Sequence, residues 1–167
     1  MSKFSVITRD VNQTITVARH VALFLELGDA VILTGGLAVG KTCFVQGLVS
    51  ALGSNDFATS PTYSIANFYN LPNGSFLHID SYRLSSGYEF QDLGLEEFFC
   101  ESIVCVEWGD KVIEFFPSHL SINFIIEDLD NDCRRLEFSF LGERWLTCMN
   151  TLENTLSCLN HEFNSCC

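Results

Sequence analysis

Positive charge is scarce in this 167-residue chain: three lysines (Lys3, Lys41, Lys111) and six arginines stand against 21 acidic residues, for a formal net charge of −12. A protein that grips nucleic acid through its phosphates needs a basic stripe. No supply for one exists here, so strong direct contact with RNA or DNA is not expected; an acidic surface suits a basic protein partner, or simply solubility. Long apolar runs are missing too. None approaches the roughly 18 residues of a membrane span, and the opening MSKFSVITRD lacks a signal-peptide core. The expectation is a cytoplasmic protein with no membrane association. Eight cysteines are present but no C-x-x-C pair, which argues against zinc, and without a secretory signal they are read as reduced thiols, several of them in the core. Cys166-Cys167 does not have the C-a-a-X form of a prenylation site. The histidines other than His78, at positions 20, 119 and 161, are scattered and suggest no metal site. With 47% hydrophobic residues, the chain can build one well-cored domain and is short for two.

What is present is a run from Val31-Ile32-Leu33 into Gly35-Gly36-Leu37-Ala38-Val39-Gly40-Lys41-Thr42, which satisfies G-x-x-x-x-G-K-[ST] and is followed at once by a helical pattern. This is a P-loop in its strand-to-helix setting. Glycines at 35 and 40 let successive backbone N–H groups turn inward toward phosphate oxygens. The helix opening near Lys41 adds unpaired N–H groups and the positive end of its dipole. Lys41 is expected to reach the β and γ phosphates, and the Thr42 hydroxyl to bind magnesium. Gly35, Val39, Gly40, Lys41, Thr42 and Cys43 are therefore the expected ATP/ADP contacts. The fold class follows: a single-domain α/β P-loop NTPase with a mixed, mostly parallel sheet flanked by helices and carrying antiparallel hairpins. Residues 1–142 form the ATPase domain, and 143–167 a C-terminal helix and tail packed on it.

Along the chain, 4–7 reads as a strand and 12–27 as a helix with apolar residues at 15, 18, 21, 22 and 25. Thr14 and its neighbours are either structural or beside a nucleotide base. The P-loop helix runs to Leu52, where Gly53 stops it. Pro61 sets an extended turn at Ser60-Pro61-Thr62-Tyr63. Strands at 65–69 and 75–79 flank an Asn73-Gly74 turn. Short helices are expected over 87–101 around Gly94, a buried parallel strand at 103–106, a short helix at 111–116, and paired strands at 120–127 and 134–140. The acidic turn at 128–132 lacks the ligand spacing of a calcium loop. Residues 143–161 form an amphipathic helix whose stripe of Trp145, Met149, Leu152, Leu156 and Leu159 faces the core or, as the minority reading, a partner.

Attack on a γ-phosphate needs a metal to neutralise charge, a carboxylate to hold that metal or its waters, and a group to orient the attacking water. Asp80 and Glu107 each end a predicted strand. Glu107 is assigned to magnesium and Asp80 to the water, although the two roles can be exchanged on the residues alone. Lys41, Asp80 and Glu107 are the catalytic set, and Thr42 and Glu107 the metal set. Arg83 is either a charge-stabilising finger or part of a surface ion pair. His78 is read as a satisfied, half-buried histidine.

No Asn/Thr-Lys-x-Asp guanine motif exists, and six arginines are few for clamping two phosphate chains. An ATPase or ATP-dependent switch fits best, ahead of a small-molecule kinase or an ATP-gated binding module with little hydrolysis. The P-loop, Ser60-Pro61-Thr62-Tyr63, His78-Ile79-Asp80-Ser81-Tyr82-Arg83-Leu84 and Val106-Glu107-Trp108, at these separations, resemble the TsaE (YjeE) family of bacterial ATPases for threonylcarbamoyladenosine modification of tRNA. The likeness spans about residues 5 to 140. It implies an ATPase that drives a TsaD–TsaB complex, with tRNA reached only through that complex. It also implies that Thr42 and Glu107 bind magnesium, that Asp80 is needed for hydrolysis, and that Trp108 is functionally sensitive. Family members usually read Gly-Asp-Leu-Gly-Ala-Gly-Lys-Thr-Thr; this chain departs at Gly36, Ala38, Val39 and Cys43. Gly36 removes a carboxylate beside the phosphates, Ala38 and Val39 reduce loop freedom, and Cys43 puts a weak thiol donor where a hydroxyl would sit.

Overall fold

Seven strands, β1 (Lys3–Thr8), β2 (Ala30–Gly35), β3 (Ala66–Leu71), β4 (Gly74–Asp80), β5 (Ser102–Glu107), β6 (His119–Asp128) and β7 (Cys133–Leu141), form one sheet in the order β1-β7-β6-β2-β5-β4-β3. The computed structural model describes residues 3–128 and 132–165. The middle of the acidic turn and the Cys166-Cys167 pair lie outside the described residues. Strands β6, β2, β5 and β4 run parallel. The outer strands β7, β1 and β3 pair antiparallel. The chain is thus an α/β domain with a parallel centre and hairpin flanks. β5 is buried at every position, which is why SIVCVE reads as a continuous run and not as an alternation.

Side-chain alternation divides the core between the two faces of the sheet. Val31, Leu33, Phe76 and Cys105 share one cluster with Val17 and Val21 of α1 (Val11–Ala22), Phe44 and Leu48 of α2 (Lys41–Ala51), and Trp145, Leu152 and Leu156 of α4 (Glu143–Ser165). Ile32, Leu77, Ile79, Val104 and Val106 point the other way, onto Leu84, Leu95, Val112, Phe116 and Phe90 of the short α3 (Gly87–Gln91). Leu152 and Leu156 are fully buried, each contributing about 1.5–3 kcal/mol. The apolar stripe of α4 is therefore a core face.

Three elements differ from the sequence expectation. α1 stops at Ala22, five residues short of 27. Phe24 and Leu25 donate to carbonyls three residues back, the Phe24 carbonyl accepts from Arg144, and the Glu26 N–H goes to the Asp29 carboxylate, so side chains take the groups another helical turn would need. Residues 111–116 form no single helix but parts of two 3₁₀ turns, Gly109–Lys111 and Ile113–Phe115, broken at Val112 with φ −130°. α4 continues four residues past 161, to Ser165. The hairpin between β3 and β4 turns on Pro72 and Asn73, with Gly74 paired opposite Leu71.

Candidate active site

Three neighbouring parallel strands deliver their carboxyl ends to one place. β2 runs into the P-loop, β4 ends in Asp80 and β5 in Glu107, and the register pairs Glu107 with both Asp80 and Leu33. Such an edge is where open α/β sheets bind ligands. Gly35 (φ 123°) and Gly40 (φ 108°) occupy backbone conformations that favour glycine. At Gly35 an added Cβ would lie 2.4 Å from the Phe124 carbonyl oxygen. Gly40 is the N-cap of α2 and provides no side-chain cap, which leaves the first N–H groups of that helix for an anion.

Around these groups lies a cleft of about 230 Å³, bordered by residues 37–43 of the P-loop, Ser60, Thr62, Asp80, Glu107 and Trp108. Lys41, only 4% exposed, donates from Nζ to the carbonyls of Gly36 (2.6 Å) and Gly35 (3.0 Å). Burial pushes its pKa below the usual lysine range, against the pull of the Glu107, Asp80 and Asp110 charges. The Thr42 hydroxyl donates to Glu107 Oε1 at 2.8 Å. Asp80, 2% exposed, accepts at Oδ2 from Thr62 (2.5 Å) and Ser60 (3.4 Å), and at Oδ1 from the Tyr82 N–H (2.9 Å).

The sequence reasoning placed Lys41, Thr42, Asp80 and Glu107 at one site, and the fold brings all four together with Val39, Gly40 and Cys43. Gly35 is outside the cleft lining; its missing Cβ makes room for β6 instead. Arg83 is exposed, lies outside the lining, and makes no ion pair among the described residues. His78 is fully buried, not half-buried, and is satisfied at one nitrogen only: Nε2 lies 3.0 Å from Glu107 Oε1, while Nδ1 is buried without a partner among the described residues. The environment differs because β4 is flanked by β3 on one side and β5 on the other.

Other residues escaped notice. Thr62, named in the sequence only within the Ser60-Pro61-Thr62-Tyr63 motif and given no role there, holds Asp80. Ser81 Oγ bridges to the carbonyls of Glu107 (3.1 Å) and Trp108 (2.6 Å), tying the ends of β4 and β5 together. Lys111 Nζ reaches the carbonyls of Tyr82 (2.7 Å) and Leu84 (3.1 Å) and so pins the loop after Asp80. A lysine on a backbone loop leaves no periodic signal. A second cleft of about 160 Å³ shares Ala38, Val39, Gly40 and Cys43 with the first and adds Thr14 and Arg134.

The donor set also bears on a metal. Among the described residues no three His, Cys, Asp or Glu side chains form a cage. A hydroxyl and a carboxylate 2.8 Å apart beside a phosphate cradle fit a small hard cation that completes its shell with phosphate and water. No helix among the described residues is long and apolar enough to cross a membrane.

Comparison with known proteins agrees with this geometry. Residues 8–136 match the family model for threonylcarbamoyl adenosine biosynthesis protein TsaE. The tRNA threonylcarbamoyladenosine biosynthesis protein TsaE of Streptomyces coelicolor is 38% identical over 135 residues, covering 77% of this chain and 91% of its own. The Bacillus subtilis protein of the same name is 35% identical over 134 residues, 80% of this chain and 83% of the relative. The crystal structure of Bacillus subtilis YdiB superposes with a TM-score of 0.74 at 27% identity, over 92% of this chain and 96% of that one. A P-loop opening α2 at the edge of a mixed sheet makes this a nucleotide-binding P-loop NTPase, and the chain belongs to the TsaE family of threonylcarbamoyl adenosine biosynthesis proteins.

Proposed function

We propose that this protein binds ATP with magnesium and hydrolyses it slowly alone and faster in the presence of a TsaD–TsaB pair, so supporting threonylcarbamoyl transfer to adenosine 37 of tRNA in the cytoplasm. The observation that carries the reading is the meeting of Lys41, Thr42, Asp80 and Glu107 in one cleft. In this reading the N–H groups of residues 39–43 and the Lys41 ammonium hold the phosphates, and Thr42 with Glu107 holds the metal, directly or through water. Magnesium, when bound, neutralises charge on the β and γ phosphates. The direct contact between Thr42 and Glu107 favours Glu107 over Asp80 for the metal. Asp80, fixed at both oxygens, orients the attacking water. The cleft beside Thr14 and Arg134 is the place assigned to the base.

Lys41 is the only lysine or arginine among the described residues lining the main cleft. Such a site has no cation to clamp a second phosphorylated substrate, which favours water over a metabolite as acceptor. The net charge of −12 suits a subunit whose partner holds the tRNA. Residues 1–142 form the working domain in this reading, with the helix Glu143–Ser165 packed on it. The deciding measurement is the rate of phosphate release from ATP with and without the TsaD–TsaB pair, and stimulation is the expected result. Transfer of labelled γ-phosphate to a metabolite would mark a kinase instead; ATP-dependent association with no stimulated hydrolysis would mark a binding module.

A further inference from the structure

Besides Thr42, the Glu107 carboxylate meets a residue that the nucleotide chemistry leaves unused. His78 lies on β4 opposite Cys105 of β5, one pleat before the paired Asp80 and Glu107, and on the same face of the sheet as both. It has no exposed surface. Its Nε2 is 3.0 Å from Glu107 Oε1, the oxygen that also accepts from Thr42 at 2.8 Å. Its Nδ1 is buried without a hydrogen-bond partner among the described residues. An ionised carboxylate can only accept, so Nε2 carries the proton and Nδ1 is the bare nitrogen. That tautomer also costs least, because a buried N–H with no acceptor is worse than a buried lone pair.

The two donors on Oε1 differ in kind. Thr42 and Glu107 are the pair assigned to the metal, and a Thr42 hydroxyl that gave a lone pair to a cation would keep its hydrogen and could turn it away from Oε1. The bond from Thr42 is thus exchangeable. The bond from His78 comes from a covered face of the sheet, where the imidazole has no exposed surface and the Tyr69 ring is a neighbour (centroids 6.4 Å apart). It remains when the Thr42 bond is given up. Outer partners of this type hold a ligating carboxylate in its working orientation, and their loss lowers metal affinity by about 10- to 100-fold.

We infer that His78 is a positioning residue: its Nε2–H anchors Glu107 Oε1, so that the carboxylate stays aimed at the metal when Thr42 leaves it. The inference rests on the reading of Glu107 as the metal-holding carboxylate, and the test separates the two. Calorimetric titration of ADP into the full chain is run with magnesium and with EDTA, and the gain in affinity due to magnesium is compared among the native protein, Glu107→Gln, His78→Gln and His78→Asn. A glutamine amide can reach the position of Nε2, whereas an asparagine amide is one carbon short and equally polar, so the pair isolates the donor from burial and fold. The His78→Asn protein is expected to lose about 10- to 100-fold of the magnesium gain with its affinity in EDTA unchanged, and the His78→Gln protein to keep the gain within about threefold. Equal behaviour of the two variants, both retaining the gain or both losing it, overturns the role of His78. A Glu107→Gln protein that keeps the full gain overturns instead the reading on which the inference rests. Circular dichroism melting of each variant shows that the folded protein is the species titrated.

Discussion

Lys41 Nζ lies 4.1 Å from the centroid of the Trp108 ring while donating to the carbonyls of Gly35 and Gly36. The cation is therefore desolvated, and burial holds its pKa below 10.5 despite the nearby Glu107 and Asp80 charges. Phosphates in the cleft compete with those carbonyls for Nζ and, being anionic, raise the pKa again. Between the two values binding takes up a proton, so nucleotide affinity falls as pH rises, by up to about tenfold per unit. Below the lower value this group makes affinity independent of pH. ADP titrations in buffers of different ionisation enthalpy, at a series of rising pH values, are expected to show proton uptake by the protein that grows as pH rises through the lowered pKa of Lys41. Lys41→Ala is expected to abolish binding at every pH.

Glu107→Gln keeps the size of the side chain and an oxygen for Thr42 or His78, and removes the charge. Nucleotide affinity without metal is expected to stay within about tenfold of the native value, while magnesium-dependent phosphate release disappears. Normal hydrolysis by this variant would remove Glu107 from the catalytic set. The pair of measurements distinguishes lost chemistry from lost binding.

The parts of the site that were legible in the sequence are those fixed by local chemistry. Gly35 and Gly40 must turn the loop whatever the rest of the chain does, and the buried run 103–106 announces a central parallel strand. The contact of Thr42 with Glu107, and not Asp80, depends on how α2 seats against β5 across 65 residues of chain. The partner of His78 depends on the register of β4 and β5. α1 likewise ends early because Arg144, 120 residues away, takes the carbonyl of Phe24. Periodicity cannot carry such long-range facts.

Ala38 has φ 58°, a left-handed conformation that costs an L-residue about 1–2 kcal/mol. Glycine at this position removes that strain but adds freedom to the unfolded chain, worth about 0.4–1 kcal/mol. The net expectation for Ala38→Gly is a gain of roughly 0.5–1 kcal/mol, or a melting point higher by about 2–4 °C for each kcal/mol, read by scanning calorimetry. Gly35→Ala is the opposite case, since its Cβ would meet the Phe124 carbonyl at 2.4 Å. A lower melting point for Ala38→Gly would refute the strain at position 38.

Arg144, at the start of α4, joins that helix to the loop after α1. Its Nη2 donates to the Phe24 carbonyl (2.7 Å) and to Asp29 Oδ2 (3.0 Å). Asp29 is 6% exposed, and burial raises its pKa above 3.8 although the Glu26 N–H and Arg144 pull it down. A folded pKa above the unfolded one means that the folded state binds more protons between the two values, so this carboxylate weakens the fold as pH rises through that window. Arg144→Ala removes one of the opposing attractions and leaves a buried charge held by a single backbone N–H, at a cost of about 2–4 kcal/mol near neutrality. The pKa of Asp29 then climbs further, and protonation relieves part of the penalty. Urea unfolding of both proteins is expected to show a deficit that is largest near neutrality and shrinks as pH falls through the raised pKa of Asp29, the direction that linkage requires. A deficit that does not change with pH would mean that Arg144 acts through its bond to the Phe24 carbonyl and its place over the Trp145 ring, and not through the Asp29 charge.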